Sequence, residues 1–134
     1  MIKCILLVTG ARKNVEKKFV YSILDRYLLN YFSNEIILIH GNALGVDSFA
    51  QSWSNDHGIY EISVPAKWNS YGKKAGSIRN ELMVQIALTF KKAYEQIDVF
   101  IEAFPSIESV GTYDCINRAN KYNLIVNVNK FDEN

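Results

Sequence analysis

Ile36-Ile37-Leu38-Ile39-His40-Gly41-Asn42-Ala43-Leu44-Gly45-Val46-Asp47 reads as a strand, a glycine-containing turn and a helix start, in that order. Residues 36–39 form an unbroken apolar run of strand length, and Val46, Phe49, Ala50 and Trp53 then recur at helical spacing. A strand-to-helix turn of this kind aims backbone N–H groups at a point where an anion is favoured. Working outward, Thr9-Gly10-Ala11-Arg12 closes a second apolar run, and the segment from Phe104 to Thr112 closes a third. Three such turns in one short chain point to a ligand that carries phosphate.

Continued in both directions, the same reading gives alternating strands and helices. Strands are expected over about residues 3–9, 36–40, 60–64, 98–104 and 124–128, and helices over about 14–32, 46–57, 77–95 and 111–121. In the first helix Phe19, Ile23 and Tyr27 repeat at spacing four, as do Val20, Leu24 and Leu28; Ile78, Leu82, Ile86 and Phe90 repeat so in the third. Gly58 is a natural stop for the second helix. Residues 66–74, with Trp68, Asn69, Ser70 and Gly72 crowded together, read as irregular, and the last six residues as frayed and polar. Strands separated by helices predict an α/β protein: a single Rossmann-like three-layer domain over residues 1–134, with a parallel sheet of about five strands flanked by helices. In an open sheet of this class the ligand lies beyond the carboxyl ends of the strands, where all three turns fall.

Composition narrows the function classes. A chain of 134 residues with 49% hydrophobic content fits one domain with a real core. A formal net charge of +1 supplies no global basic field, which argues against nucleic acid as the partner. The pairs Lys17-Lys18, Lys73-Lys74 and Lys91-Lys92 read as solvated helix faces. Cys4 and Cys115 read as buried free thiols of a reducing compartment. The first residues lack the pattern of a signal peptide, and no run approaches the ~18 apolar residues of a span, so a cytoplasmic protein without membrane contact is expected. His40 and His57 fall at opposite ends of the second helix, which makes a metal pair an unfavoured reading. Neither GxGxxG nor GxxxxGK[ST] occurs, so the dehydrogenase and NTPase readings lose their support and no cofactor is expected.

Each candidate residue has a use and a plainer alternative. Thr9, Gly10 and Arg12 suit a phosphate, with Gly10 for close approach and Arg12 for a bidentate grip; they equally suit a simple turn with a surface arginine. His40, Gly41, Asn42 and Gly45 make up the second turn, and Asp47 either recognises ribose hydroxyls or supports the helix N-terminus. Trp68 and Tyr71 offer faces for a base or for packing, while Lys73, Arg79 and Asn80 cluster around a helix start. Gly111 and Thr112 sit at another helix start, where Ser109 or Thr112 could act as an ordinary cap.

Together these segments resemble the SLOG superfamily, and within it the YspA/YpsA-related branch. The resemblance covers nearly the whole chain and rests on motifs in order. They are V-T-G-[SA]-R at Val8 to Arg12, H-G-x-A-x-G-x-D at His40 to Asp47, and P-A-x-W-x-x-Y-G-K-x-A-G-x-I-R-N at Pro65 to Asn80, followed by A-F-P at Ala103 to Pro105 and G-T-x-D at Gly111 to Asp114. It implies a Rossmann-like domain for nucleotides or their derivatives, with Gly10, Arg12, Gly41, Asp47, Arg79, Asn80, Gly111 and Thr112 lining the site. Relatives include cytokinin-activating phosphoribohydrolases and sensors of NAD-derived signals in bacterial conflict systems, and relatives often pair, which makes a homodimer or larger homo-oligomer an expectation. Two departures stand out. The P-G-G-x-G-T loop becomes Pro105-Ser106-Ile107-Glu108-Ser109-Val110-Gly111-Thr112, and the phosphoribohydrolase glutamate is replaced by Cys115.

Two readings follow. In the first, the protein binds a nucleotide-derived small molecule, such as an ADP-ribose or NAD-derived signal, as a sensor or sequestering module in defence. In the second, it is a nucleoside 5'-monophosphate N-glycosidase. That enzyme needs a carboxylate at the glycosidic bond, with Asp47, Asp114 and Glu108 as candidates. Single-stranded nucleic acid along the Trp68–Arg79 segment is a weaker third.

Overall fold

The computed structural model describes residues 1–133. Its elements, in chain order, are β1 (Cys4–Gly10), α1 (Lys17–Asp25), β2 (Ile36–His40), α2 (Val46–His57), β3 (Tyr60–Ser63), the single turn α3 (Trp68–Tyr71), α4 (Ala75–Ala93), β4 (Asp98–Phe104), α5 (Val110–Lys121) and β5 (Ile125–Val128). The strands form one sheet in the order β3-β2-β1-β4-β5, and every pairing is parallel. This is the α/β Rossmann-like architecture that the alternation of strands and helices predicts.

Burial of β1 explains its unbroken apolar run. Cys4, Ile5, Leu6, Leu7 and Val8 are all fully buried because the strand is central and both faces of the sheet are covered. Alternation divides them: Cys4, Leu6 and Val8 join Val20, Leu24, Ala50 and Trp53 on the α1–α2 face, while Ile5 and Leu7 join Val84, Ala87 and Ala119 on the α4–α5 face. The chain winds outward from β1 to β3, then crosses to β4 on β1's other side. Strand order reverses between β1 and β4, and their loops diverge there, leaving a crevice. The Ala11 amide donates to the Phe104 carbonyl at 2.9 Å and fixes the two loop starts together.

Three expectations need correction. The helix foreseen over residues 14–32 is α1 followed by a tighter 3-10 turn, Arg26–Leu29, with Leu29 and Phe32 exposed. Tightening accompanies two long-range bonds: Tyr27 donates its hydroxyl to Glu102, and Tyr31 donates to Asp98. Residues 129–133 are not frayed, and residue 134 lies outside the described residues. The Asn129 amide donates to the Ala103 carbonyl at 2.7 Å, and Phe131 packs at 6.4 Å from Phe19. Residues 66–74 hold α3 and a 3-10 turn, Gly72–Lys74, and α4 begins directly after it. Among the described residues no helix is long and apolar enough to cross a membrane.

Candidate functional site

A cleft of about 820 Å³ opens at the carboxyl ends of β1 and β4. Of the residues singled out above, Thr9, Gly10, Arg12, Asp47, Trp68, Lys73, Arg79, Asn80, Glu108, Gly111, Thr112 and Asp114 line it. His40, Gly41, Asn42 and Gly45 do not. The first and third turns therefore meet at one place, and the second stands behind them.

The second turn is closed by the protein itself. The Gly41 and Ala43 amides donate to Asp47 Oδ2 at 3.1 and 3.2 Å, and the Asn42 amide donates to His40 Nδ1 at 3.0 Å. His40 is fully buried and is held on its other nitrogen by Glu61 at 2.9 Å. The first α2 amide, Val46 N–H, donates to the Ala11 carbonyl at 3.0 Å. Four of the N–H groups expected to hold a ligand anion, those of Gly41, Asn42, Ala43 and Val46, thus already have an acceptor. Asp47 is 5% exposed, and burial pushes its carboxyl up, with the Ala43 amide, the Arg79 charge and the Gly41 amide opposing.

The glycines here serve packing. A Cβ on Gly10 would lie 2.6 Å from Val46 Cγ2, and a Cβ on Gly41 would strike the Arg79 guanidinium. Arg79 uses that space: its Nη1 donates to the Gly41 carbonyl at 2.5 Å and its Nε to Asn80 Oδ1 at 2.9 Å. Asn80, 3% exposed, passes the chain of bonds onward, donating to the Gly111 carbonyl at 3.1 Å and to Asp114 Oδ2 at 3.0 Å. These bonds tie β2, α4 and α5 into the cleft floor.

The third turn stays open. Ser109 does not cap α5; its hydroxyl accepts the Ser106 amide at 2.7 Å and tightens the loop. Val110 N–H donates to the Glu108 carbonyl at 2.9 Å, and Tyr113 N–H donates to the Ser109 carbonyl at 3.1 Å. Between them the Gly111 and Thr112 amides have no protein acceptor among the described residues. They sit in the first turn of a twelve-residue helix, the positive end of its dipole.

Electrostatics favour an anion in the same place. Arg12, Lys13, Lys73 and Arg79 line the cleft, and among the described residues none forms an ion pair. The acids there are engaged or peripheral. Asp114 pairs with Arg118 at 2.9 Å, Glu133 accepts the Ile107 amide at 2.8 Å, and Glu108 is exposed at the loop tip. Arg118 also holds Glu81 at 3.0 Å, outside the cleft. Cys115 is fully buried, and burial pushes its thiol up to about 12, so it stays protonated near neutrality.

Sequence reasoning missed Lys13, Ser106 and Glu133 as cleft residues. Lys13 adjoins Arg12 and was visible as a second cation; Glu133 reaches the cleft only through the return of the C-terminal segment, which carries no local signal. It also missed Glu102, 3% exposed within β4, which accepts from Tyr27, from Asn127 at 2.8 Å and from Asn129 at 2.8 Å. That carboxylate lies outside the cleft and holds the β5 side of the sheet together. Among the described residues no three His, Cys, Asp or Glu side chains are grouped to hold a metal ion.

Sheet order and a cleft at the point of reversal define a Rossmann-like α/β protein with an open crevice beyond β1 and β4. Residues 4–71 match the model of the YspA, cpYpsA-related SLOG family. The chain is also 31% identical to the Gene 61 protein of Mycobacterium phage D29, over 90% of this chain and 92% of that one. It belongs to the YspA, cpYpsA-related SLOG family. Among solved structures, DNA processing protein A (DprA) from Streptococcus pneumoniae superposes with a TM-score of 0.51 and 18% identity, a likeness of fold. The alignment covers 94% of this chain and 58% of DprA.

Proposed function

We propose that the cleft binds an anionic, nucleotide-derived small molecule and that the protein acts as a sensor or sequestering module for it. The observation that carries the reading is the pair of open amides at Gly111 and Thr112, facing a cleft with four cations free of ion pairs. Backbone amides at a helix start, together with guanidinium and ammonium groups, make a phosphate site. Arg12, Lys73 and the Gly111 and Thr112 amides take the phosphate, and Asn80 and Asp47, which line the same cleft, take the sugar hydroxyls. Membership of the SLOG family supports a nucleotide-related ligand, of which an ADP-ribose or NAD-derived signal is one kind.

Hydrolysis is the less favoured use of the cleft. N-glycosidic cleavage needs a carboxyl free to exchange a proton at the reacting bond. Asp47 is engaged by two amides, Asp114 by Arg118 and Asn80, and the buried thiol of Cys115 replaces the relatives' glutamate.

Melting temperature in the presence of inorganic phosphate, the nucleoside monophosphates, ADP-ribose and NAD tests the proposal. A true ligand at a hundred times its Kd adds about 2.7 kcal/mol of stability. Arg12→Ala combined with Lys73→Ala is expected to abolish most of the shift while leaving the unliganded melting temperature within a few degrees, because both side chains are exposed. No shift with any of these compounds sinks the reading. Release of free base from a monophosphate, lost in Asp47→Asn, Glu108→Gln or Asp114→Asn, moves the protein to the hydrolases.

A further inference from the structure

We propose that Trp68 is a stacking subsite for a planar base in this cleft, and that Arg12 covers its ring until the base arrives. The inference rests on the anion-binding reading and narrows the ligand to one carrying both a phosphate and an aromatic base.

The two tryptophans differ sharply. Trp53 is fully buried in the α1–α2 core, and its indole N–H donates to Asp25 at 2.9 Å. Packing accounts for it completely. Trp68 opens α3, lines the cleft, and is 49% exposed, and among the described residues its indole nitrogen has no hydrogen-bond partner. Its rim rests near Gly76 in the first turn of α4, where an added Cβ would sit 3.4 Å from Cη2. The Arg12 guanidinium lies 5.9 Å from the ring centroid. Tyr71, the other aromatic of this segment, is 50% exposed but does not line the cleft.

A guanidinium group and a nucleobase are both flat and both stack on an indole face. Arg12 has no ion pair that would resist its departure, and it shares the cleft with the open Gly111 and Thr112 amides. A base that displaces the guanidinium from the ring releases that charge for the phosphate of the same ligand. Sugar phosphates and inorganic anions engage the Gly111 and Thr112 amides with Lys13 and Lys73, and without a base to displace it Arg12 keeps its contact with Trp68. The subsite therefore discriminates in favour of nucleotides.

With two tryptophans in the chain, and Trp53 sealed in the core, indole fluorescence reports on Trp68. The probes are AMP, GMP, CMP and UMP, with ribose 5-phosphate and inorganic phosphate as base-free anions. The expected result is quenching by at least one monophosphate and none by the base-free anions, although ribose 5-phosphate still raises the melting temperature. In Trp68→Phe the quenching is expected to vanish while monophosphate affinity stays within a few-fold. In Trp68→Ala that affinity should fall by roughly 5- to 100-fold with ribose 5-phosphate affinity unchanged. A melting shift with monophosphates none of which quenches overturns the inference and leaves the anion site standing. So does quenching that persists in Trp68→Phe, or equal monophosphate affinity in Trp68→Ala. No melting shift with any probe overturns both.

Discussion

The turn after β2 points its Gly41 and Ala43 amides at the protein's own Asp47, while the turn after β4 leaves the amides of Gly111 and Thr112, which line the cleft, without an acceptor among the described residues. Both follow a buried strand, both contain glycine and both lead into a twelve-residue helix. The difference lies in what the first helical turn sends back. Two residues beyond Gly45 stands Asp47, short enough to reach its own loop. Two residues beyond Gly111 stands Tyr113, which is exposed, and Asp114 is drawn away to Asn80 and Arg118. The first helical amide is occupied at both starts, Val46 by the Ala11 carbonyl and Val110 by the Glu108 carbonyl, so the contrast rests on the loop amides that Asp47 collects. An anion nest is thus defined by the absence of an internal acceptor as much as by its N–H groups.

Replacing one glycine in each turn gives the largest expected contrast. Gly45 has a φ of 76°, and a Cβ there would lie 2.7 Å from the Cα of Arg12. Gly45→Ala is expected to lose about 3 kcal/mol, from strain added to collision. Gly111 has no atom within 4 Å of an added Cβ and is helical, so Gly111→Ala should hold stability or gain up to about 1 kcal/mol. Urea midpoints decide this; equal losses would remove the distinction between a packed turn and an open one.

Emptying the closed turn comes next in size. Asp47→Ala strips the Gly41 and Ala43 amides of their acceptor in a buried setting, which costs about 1–3 kcal/mol for an unsatisfied group, offset in part because the carboxylate's own burial cost is relieved. Asp47→Asn keeps an oxygen that accepts and should lose less. The vacated nest then resembles the open one, so formate or phosphate should restore the melting temperature of Asp47→Ala by several degrees more than that of Asp47→Asn. Equal responses would mean that the turn has no anion preference to unmask.

Much of this contrast is invisible along the chain. Strand and helix existence was legible because burial on both sheet faces leaves unbroken apolar runs at 4–8 and 36–39, and the helices keep their spacing. The meeting of the first and third turns was legible too, since parallel strands put every βα turn on one edge. What the spacing of Gly41, Gly45 and Asp47 could not reveal was the direction of the Asp47 side chain, because nest and filler are written with the same residues. Gly41 is equally opaque, since its reason is Arg79, thirty-eight positions away. The tight turn at Arg26–Leu29 was hidden by a helical stripe that Leu28 continues while Leu29 leaves the core. Glu102 was hidden inside an apolar strand, because its partners arrive from α1's extension and from β5.

Acid titration separates the closed turn from the ion-pair chain beside the open one, and the effect is the smallest of the three. Burial raises the Asp47 carboxyl above the ordinary aspartate value of about 3.9, so the folded state binds more protons than the unfolded one between those two values. Stability tied to Asp47 therefore falls as pH rises through that window. Glu81 has the opposite sign. Its carboxyl is held below the glutamate range chiefly by the Gln85 amide at 2.8 Å, then by Tyr122 and Arg118. Its contribution is present above about 4.3 and is lost as pH falls toward the lowered value. Glu81 is largely solvated, so the slope it adds is shallow. Melting temperatures from pH 3 to 7 should show Asp47→Asn flattening the decline above about pH 4, and Glu81→Gln flattening the acid limb below it. If Glu81→Gln instead steepened the acid limb, the bonds from Gln85, Tyr122 and Arg118 would not be favouring the ionised carboxylate, and the network joining α4 to α5 would contribute nothing that depends on its charge.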